Sequence, residues 1–157
     1  MTIELKIDDS EWRKAEALLQ RVDRELRQEA VEESLEKASK IVEEEAKRQA
    51  PPPGYPGDKP RKKPLRDTIS HKIEKYQSGN IVSIVGPQYP AGAHAHLVHE
   101  GHEIWVPKPP FTEGADTERT GQRTQPDKFL ERAADNTQAA QAQAIVSTLT
   151  KRASSIQ

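Results

Sequence analysis

Residues 24–51 read RELRQEAVEESLEKASKIVEEEAKRQAP, and this stretch decides the architecture. Val31, Leu35, Ala38, Val42 and Ala46 recur at steps of three and four, the spacing of one helical face. The rest of the stretch is rich in Glu, Lys and Arg, which suit a solvated face. The spacing predicts a helix near Arg24–Gln49, roughly 40 Å long at ~1.5 Å per residue. Pro51, Pro52 and Pro53 stop it. Upstream, Trp12, Ala15, Leu19, Val22 and Leu26 keep the same period, but the step from Leu26 to Val31 is five residues. The phase slips there. A first helix is therefore expected near Ser10–Gln20, with the long helical run bent or broken near residues 21–24. Asp8, Asp9 and Ser10 supply N-cap chemistry. Before them, Ile3, Leu5 and Ile7 alternate with Glu4 and Lys6 as in a short half-buried strand.

Downstream, residues 51–64 are crowded with proline and glycine and are basic, so they predict a stiff loop without regular structure. Ile69, His71 and Ile73 then alternate, Ser78-Gly79-Asn80 carries turn chemistry, and Ile81–Val85 is apolar and β-branched. Together they predict a β-hairpin. Gly86-Pro87 ends it. Ala93–Glu100 is expected to be a third strand and Glu103–Val106 a fourth, with Gly101 allowing a tight turn. Residues 107–126 predict a second long loop. Pro126-Asp127 then starts a helix whose Ala-rich stripe includes Phe129, Leu130, Ala133, Thr137, Ala140, Ile145 and Leu149, leaving 153–157 as a disordered tail.

The 157 residues suit a single domain, but hydrophobic residues are only 33% and charged residues 31%, so core material is thin. Such a chain buries its apolar stripes on few elements or against copies of itself. The net charge is −1, yet residues 1–50 hold 10 Lys/Arg against 14 Asp/Glu, and residues 51–80 hold 7 against 3. Complementary patches of this kind suit head-to-tail contacts between identical subunits. There is no cysteine, which excludes a disulfide scaffold and a thiolate metal site. That fits a reducing cytoplasm. No apolar run approaches a membrane span, and the N-terminal residues lack the basic start and apolar core of a signal peptide.

His94, His96, His99 and His102 fall within nine residues, and imidazole is a common metal ligand. On a strand, however, His94 and His96 share one face and His99 takes the other. A third ligand must come from elsewhere, and Glu100 and Glu103 are the nearest candidates. The two-histidine helical zinc pattern with an intervening Glu is absent, as are a phosphate-cradling glycine loop and a nucleophile elbow. No catalytic residue and no cofactor are therefore expected. Lys59, Arg61, Lys62, Lys63 and Arg66 form a basic cluster able to meet phosphates, but no DNA-reading motif accompanies them.

The order of several short segments resembles the tail-completion, or head–tail joining, family of tailed-phage neck proteins. Glu45–Pro51, with Ala50 and Pro51, is similar to that family's helix end. Leu65-Arg66-Asp67-Thr68-Ile69 looks like its second motif, and Val85-Gly86-Pro87 like its hairpin end. Ala95, His96, Val98 and Gly101 agree with its strand motif, and Phe129-Leu130 with the start of its last helix. His94, His99 and Glu100 depart from the pattern.

The resemblance implies an α+β subunit in which a long N-terminal helix and a C-terminal helix pack on a small antiparallel sheet of about four strands. It implies a ring of copies at the neck of the particle, between a head connector or head-closure protein and a tail terminator or tail-tube protein. Such a ring leaves a DNA channel, with nonspecific contact to passing DNA. The protein would then be found in the bacterial host cytoplasm during assembly and afterwards in the virion. Candidate interface residues on this reading are Tyr55, Lys59, Arg61, Lys62, Lys63, Arg66, His99, Glu100, Lys108 and Phe111. The alternative is a metal-binding protein or metal-dependent enzyme built on His94–His102.

Overall fold

A computed structural model describes residues 9–19, 24–52, 63–107 and 117–155. The strand expected at 3–7, residues 21–23 of the expected break, residues 53–62 of the first Pro/Gly loop and residues 108–116 of the second lie outside these residues. Helices α1 (Asp9–Leu19) and α2 (Arg24–Gln49) are followed by a 3₁₀ turn (Leu65–Thr68) and strands β1 (Ile69–Lys75) and β2 (Ile81–Pro87). Helix α3 (Ala95–Glu100), strands β3 (Glu103–Pro107) and β4 (Thr117–Arg123) and helix α4 (Phe129–Ser154) complete the order. The class is α+β, as expected. Among the described residues, no helix is long and apolar enough to cross a membrane.

Helix α2 is the central element, with α4 packed along it and the β1–β2 hairpin against it. Both helices bury rows spaced by four: Ala30, Ser34, Ala38, Val42 and Ala46 on α2, and Phe129, Ala133, Thr137, Gln141, Ile145, Leu149 and Ala153 on α4. Rows of this spacing are the ridges that helix pairs interdigitate. The small residues on α2 let the larger side chains of α4 approach. The pair is antiparallel. Ala46 and Ala50 meet Phe129 and Ala133 at one end, and Ala30 and Ala38 meet Ile145 and Leu149 at the other. Polar contacts follow the same direction, from Arg132 Nε–Gln49 Oε1 at 3.0 Å to Lys37 Nζ–Thr148 Oγ1 at 3.4 Å. A helix pair stabilised by long-range burial explains how so polar a sequence folds.

The hairpin has the expected partners, in register from Ile69 opposite Pro87 to Lys75 opposite Ile81. Its inner face lies on α2, where Ser83 and Ser39 share a short hydrogen bond between hydroxyls.

Four expectations are corrected. The four strands form two separate two-stranded sheets, β1–β2 and β3–β4, not one sheet. Residues 95–100 are helical, not a strand. Ala95, Val98 and His99 face the interior while His96 and Leu97 are exposed, and that spacing is helical. The second long loop contains β4, whose seven residues are all exposed and carry no apolar alternation to betray a strand. Finally, α4 continues to Ser154 with Ala153 buried, so the tail expected from 153 is helical at its start.

Candidate functional site

The segments carrying the sequence motifs each send a side chain to one place. Ala46 and Ala50 from the end of α2, Leu65 from the 3₁₀ turn, Ile69 from β1, Ala95 from α3, and Phe129 and Ala133 from α4 form one core cluster. Val85, Val98 and Leu130 pack against it, and Pro51 is buried beside Ala50. Segments spread over more than 80 residues thus build a single junction where three helices and the hairpin meet. Phe129, fully buried, is its largest member.

Gly101 closes α3 at this junction with φ 68°, and a Cβ there would stand 2.5 Å from the Thr124 carbonyl oxygen. Only glycine satisfies both the dihedral and the space. Gly86 and Pro87 end β2, and Gly86 faces open space. Arg66 and Asp67 project from the 3₁₀ turn into solvent, as does the neighbouring Lys63.

The four clustered histidines part company. His94 is buried at the N-terminal end of α3, and His96 is exposed with Nδ1 2.8 Å from the Ala93 carbonyl oxygen. His99 is buried edge-on to Phe129, with ring centroids 6.2 Å apart. Its Nε2 lies 3.3 Å from Glu131 Oε1 and 3.5 Å from Glu100 Oε1. His102 donates its backbone N–H to Thr124 Oγ1 at 2.9 Å. Among the described residues, no three His, Asp or Glu side chains are arranged to hold a metal ion. His99 is a packing residue here, whereas Glu100 stays at the surface, 3.0 Å from Lys128 Nζ. That ammonium holds the Glu100 carboxyl below its usual range. Tyr55, Lys59, Arg61, Lys62, Lys108 and Phe111 lie outside the described residues.

Sequence reasoning missed an ionic clamp between α2 and the hairpin. The His71 ring bridges two carboxylates, with Nδ1 2.5 Å from Glu43 Oε2 and Nε2 2.9 Å from Glu36 Oε2. Burial opposes its charging, but hydrogen bonds to Glu43 and Glu36 outweigh burial and raise its pKa above the ordinary value. For Glu43, burial pushes upward, while Lys47 and His71 prevail and lower it. Glu45, in the α2–α4 seam, is held down to about 2 by hydrogen bonds from Gln49, Arg48 and Asn136.

Also missed was an exposed apolar surface. Val82 and Ile84 on β2 and Trp105 on β3 remain 40%, 48% and 49% exposed. The apolar pairs Ile81–Val82 and Ile84–Val85, on either side of Ser83, were the available signal. A strand apolar on both faces has something to cover on each.

No curated protein matches the chain, and no solved structure matches it. A family model described as "Bacteriophage HK97-gp10, putative tail-component" matches residues 13–101, more than half of the chain. The matched region runs from α1 through α3 and includes every segment of the motif junction except α4.

Proposed function

We propose that this chain, which belongs to the HK97-gp10-like family of phage tail components, is a structural subunit forming a ring at the head–tail junction. Copies surround a channel for DNA. One side of the ring meets a head connector or head-closure protein, and the other a tail terminator or tail-tube protein. The protein carries out no chemistry in this role; it joins or completes the tail within the host cell and stays in the virion.

The observation that carries the reading is the family match, in a chain whose motif residues act as scaffold. Ala50, Leu65, Val98, Phe129 and Leu130 hold the helices and hairpin together and leave loops and strand faces for contact. The subunit's small core fits a protein whose remaining apolar surface is covered on assembly.

Electron microscopy of lysates from the parent phage or prophage lacking this gene tests the proposal. The expected result is DNA-filled heads and unattached tails, with intact particles restored by the gene supplied in trans. Normal numbers of infectious virions without the gene would overturn it.

A further inference from the structure

We propose that the outer face of the β1–β2 hairpin is the seat for the β3–β4 hairpin of a second copy, so that subunits join head to tail through two different surfaces. The inference rests on the ring reading and specifies its contact.

Each hairpin presents a compact, exposed face. On the first, Lys72 stands opposite Ile84 and Glu74 opposite Val82, all on the side away from α2. Lys72 Nζ and Glu74 Oε1 are 2.8 Å apart, and that pairing is within the subunit. The apolar half of the face is thus on β2 and the charged half on β1. On the second hairpin Trp105 stands opposite Arg119. The Arg119 guanidinium carbon lies 5.1 Å from the Trp105 ring centroid, and its Nε is 3.2 Å from Glu103 Oε2. Among the described residues this hairpin packs chiefly on itself, and an isolated two-stranded hairpin is marginally stable. Seating it on a partner would stabilise it.

Three features select a second copy as the occupant. First, the faces are complementary in kind and charge. The first carries Lys72 and Glu74 and the second Glu103, Arg119 and Arg123, so Glu74 can meet the basic side at Arg119 and Lys72 can meet Glu103 while Trp105 covers Val82 and Ile84. Trp and Arg are the residue types that dominate interface energetics. Second, the two faces differ, so the contact is heterologous and propagates around a closed ring, which a face meeting its own copy cannot do. Third, the faces are small, far short of the ~20–30 residues a side of a standard stable interface. A single contact is then weak, and closure of the ring supplies the avidity. That suits a subunit that gathers only on the particle.

The natural chain has no cysteine, so two introduced thiols report the contact cleanly. Ile84→Cys marks the seat. Thr117→Cys marks the hairpin, on the same face as Arg119 by strand alternation. Treatment with a short bis-maleimide, of virions and of concentrated purified full-length protein, is expected to give a ladder of covalent multimers from the double variant and monomers from each single variant. Dimers from Ile84→Cys alone would overturn the proposal, because the face would then meet its own copy.

Cross-links to another virion protein would also overturn it. So would monomers only, in particles of normal yield, and the ring reading would survive that result. If the chain proves absent from virions, the ring reading fails, and the purified protein still decides the contact. In a second arm, Glu74→Arg and Arg119→Glu each reduce the ladder by about tenfold or more, since like charges then oppose one another. The two together restore it. Failure of the pair to restore it, with both singles folded by circular dichroism, excludes this pairing.

Discussion

At the scale of single residues, the folded state depends on two positions whose roles are physical and separable. His71 sits between Glu43 and Glu36 on the α2 side of the hairpin. Its pKa is raised in the folded chain, so its contribution is fully present below the ordinary histidine value near ~6.5 and fades as pH rises through the folded value. Glu43 is lowered, so its contribution is present above the usual carboxylate range and fades as pH falls through its folded value. Stability from the clamp is therefore greatest in mildly acidic solution. His71→Gln is expected to flatten the loss of stability between neutral and alkaline pH and to cost about 1–2 kcal/mol at pH 5.5. Urea melts at pH 5.5 and 8.5 check both, and an unchanged pH profile would contradict the clamp. Gly101 is the second position. With φ 68° and the Thr124 carbonyl 2.5 Å from any added Cβ, Gly101→Ala is expected to lower stability by about 2 kcal/mol or more. A thermal melt reads it directly.

At the scale of elements, the antiparallel α2–α4 pair has two buried clusters at opposite ends. Phe129→Ala empties the first and is expected to cost about 3–5 kcal/mol. Leu149→Ala empties the second at about 2–5 kcal/mol. The clusters share no residue, so the costs are expected to add to within ~0.5 kcal/mol. Strong non-additivity in denaturant melts would show that the pair behaves as one unit. Legibility in the sequence follows the same division. Helix α2 was readable end to end because its period is long and Pro51 stops it. The β1–β2 hairpin was readable because Gly79 and the β-branched run mark turn and strand. Helix α3 was misread because its six residues, Ala-His-Leu-Val-His-Glu, satisfy a period of two as easily as 3.6, and only burial of Ala95 and His99 separates them. Strand β4 was invisible because pairing with β3, not hydrophobic alternation, makes it a strand. Of the candidate site, the motif segments could be picked out in the sequence, but not that they meet in one core. The clamp was not legible, because nothing in the spacing shows that His71 folds onto Glu43, 28 residues away.

At the scale of the molecule, the charge asymmetry of the sequence takes a different meaning once the fold is known. Residues 1–50 carry an excess of carboxylates and residues 51–80 an excess of bases. Many of the α2 carboxylates already have partners within the subunit: Glu32 with Lys75, Glu33 with Lys37 and Arg152, Glu36 and Glu43 with His71, and Glu45 with Arg48. Their charge is largely compensated in place. Lys63 and Arg66 of the basic segment are both exposed, and the proposed assembly role would give them an acidic surface of another virion protein to meet. Exposed charges contribute little to folding. Replacing Lys63 and Arg66, both exposed, together by Glu is therefore expected to shift the melting temperature by no more than about 2 °C, within the small effect of surface substitutions. The same change is expected to lower the yield of infectious particles by tenfold or more, about the consequence of reversing two charges at a contact. Adding salt during assembly of the unaltered protein should act in the same direction, because screening shortens the reach of exposed charge to about 8–10 Å. A normal particle yield from the reversed variant would remove the basic segment from the assembly contacts. The hairpin faces would then have to carry them.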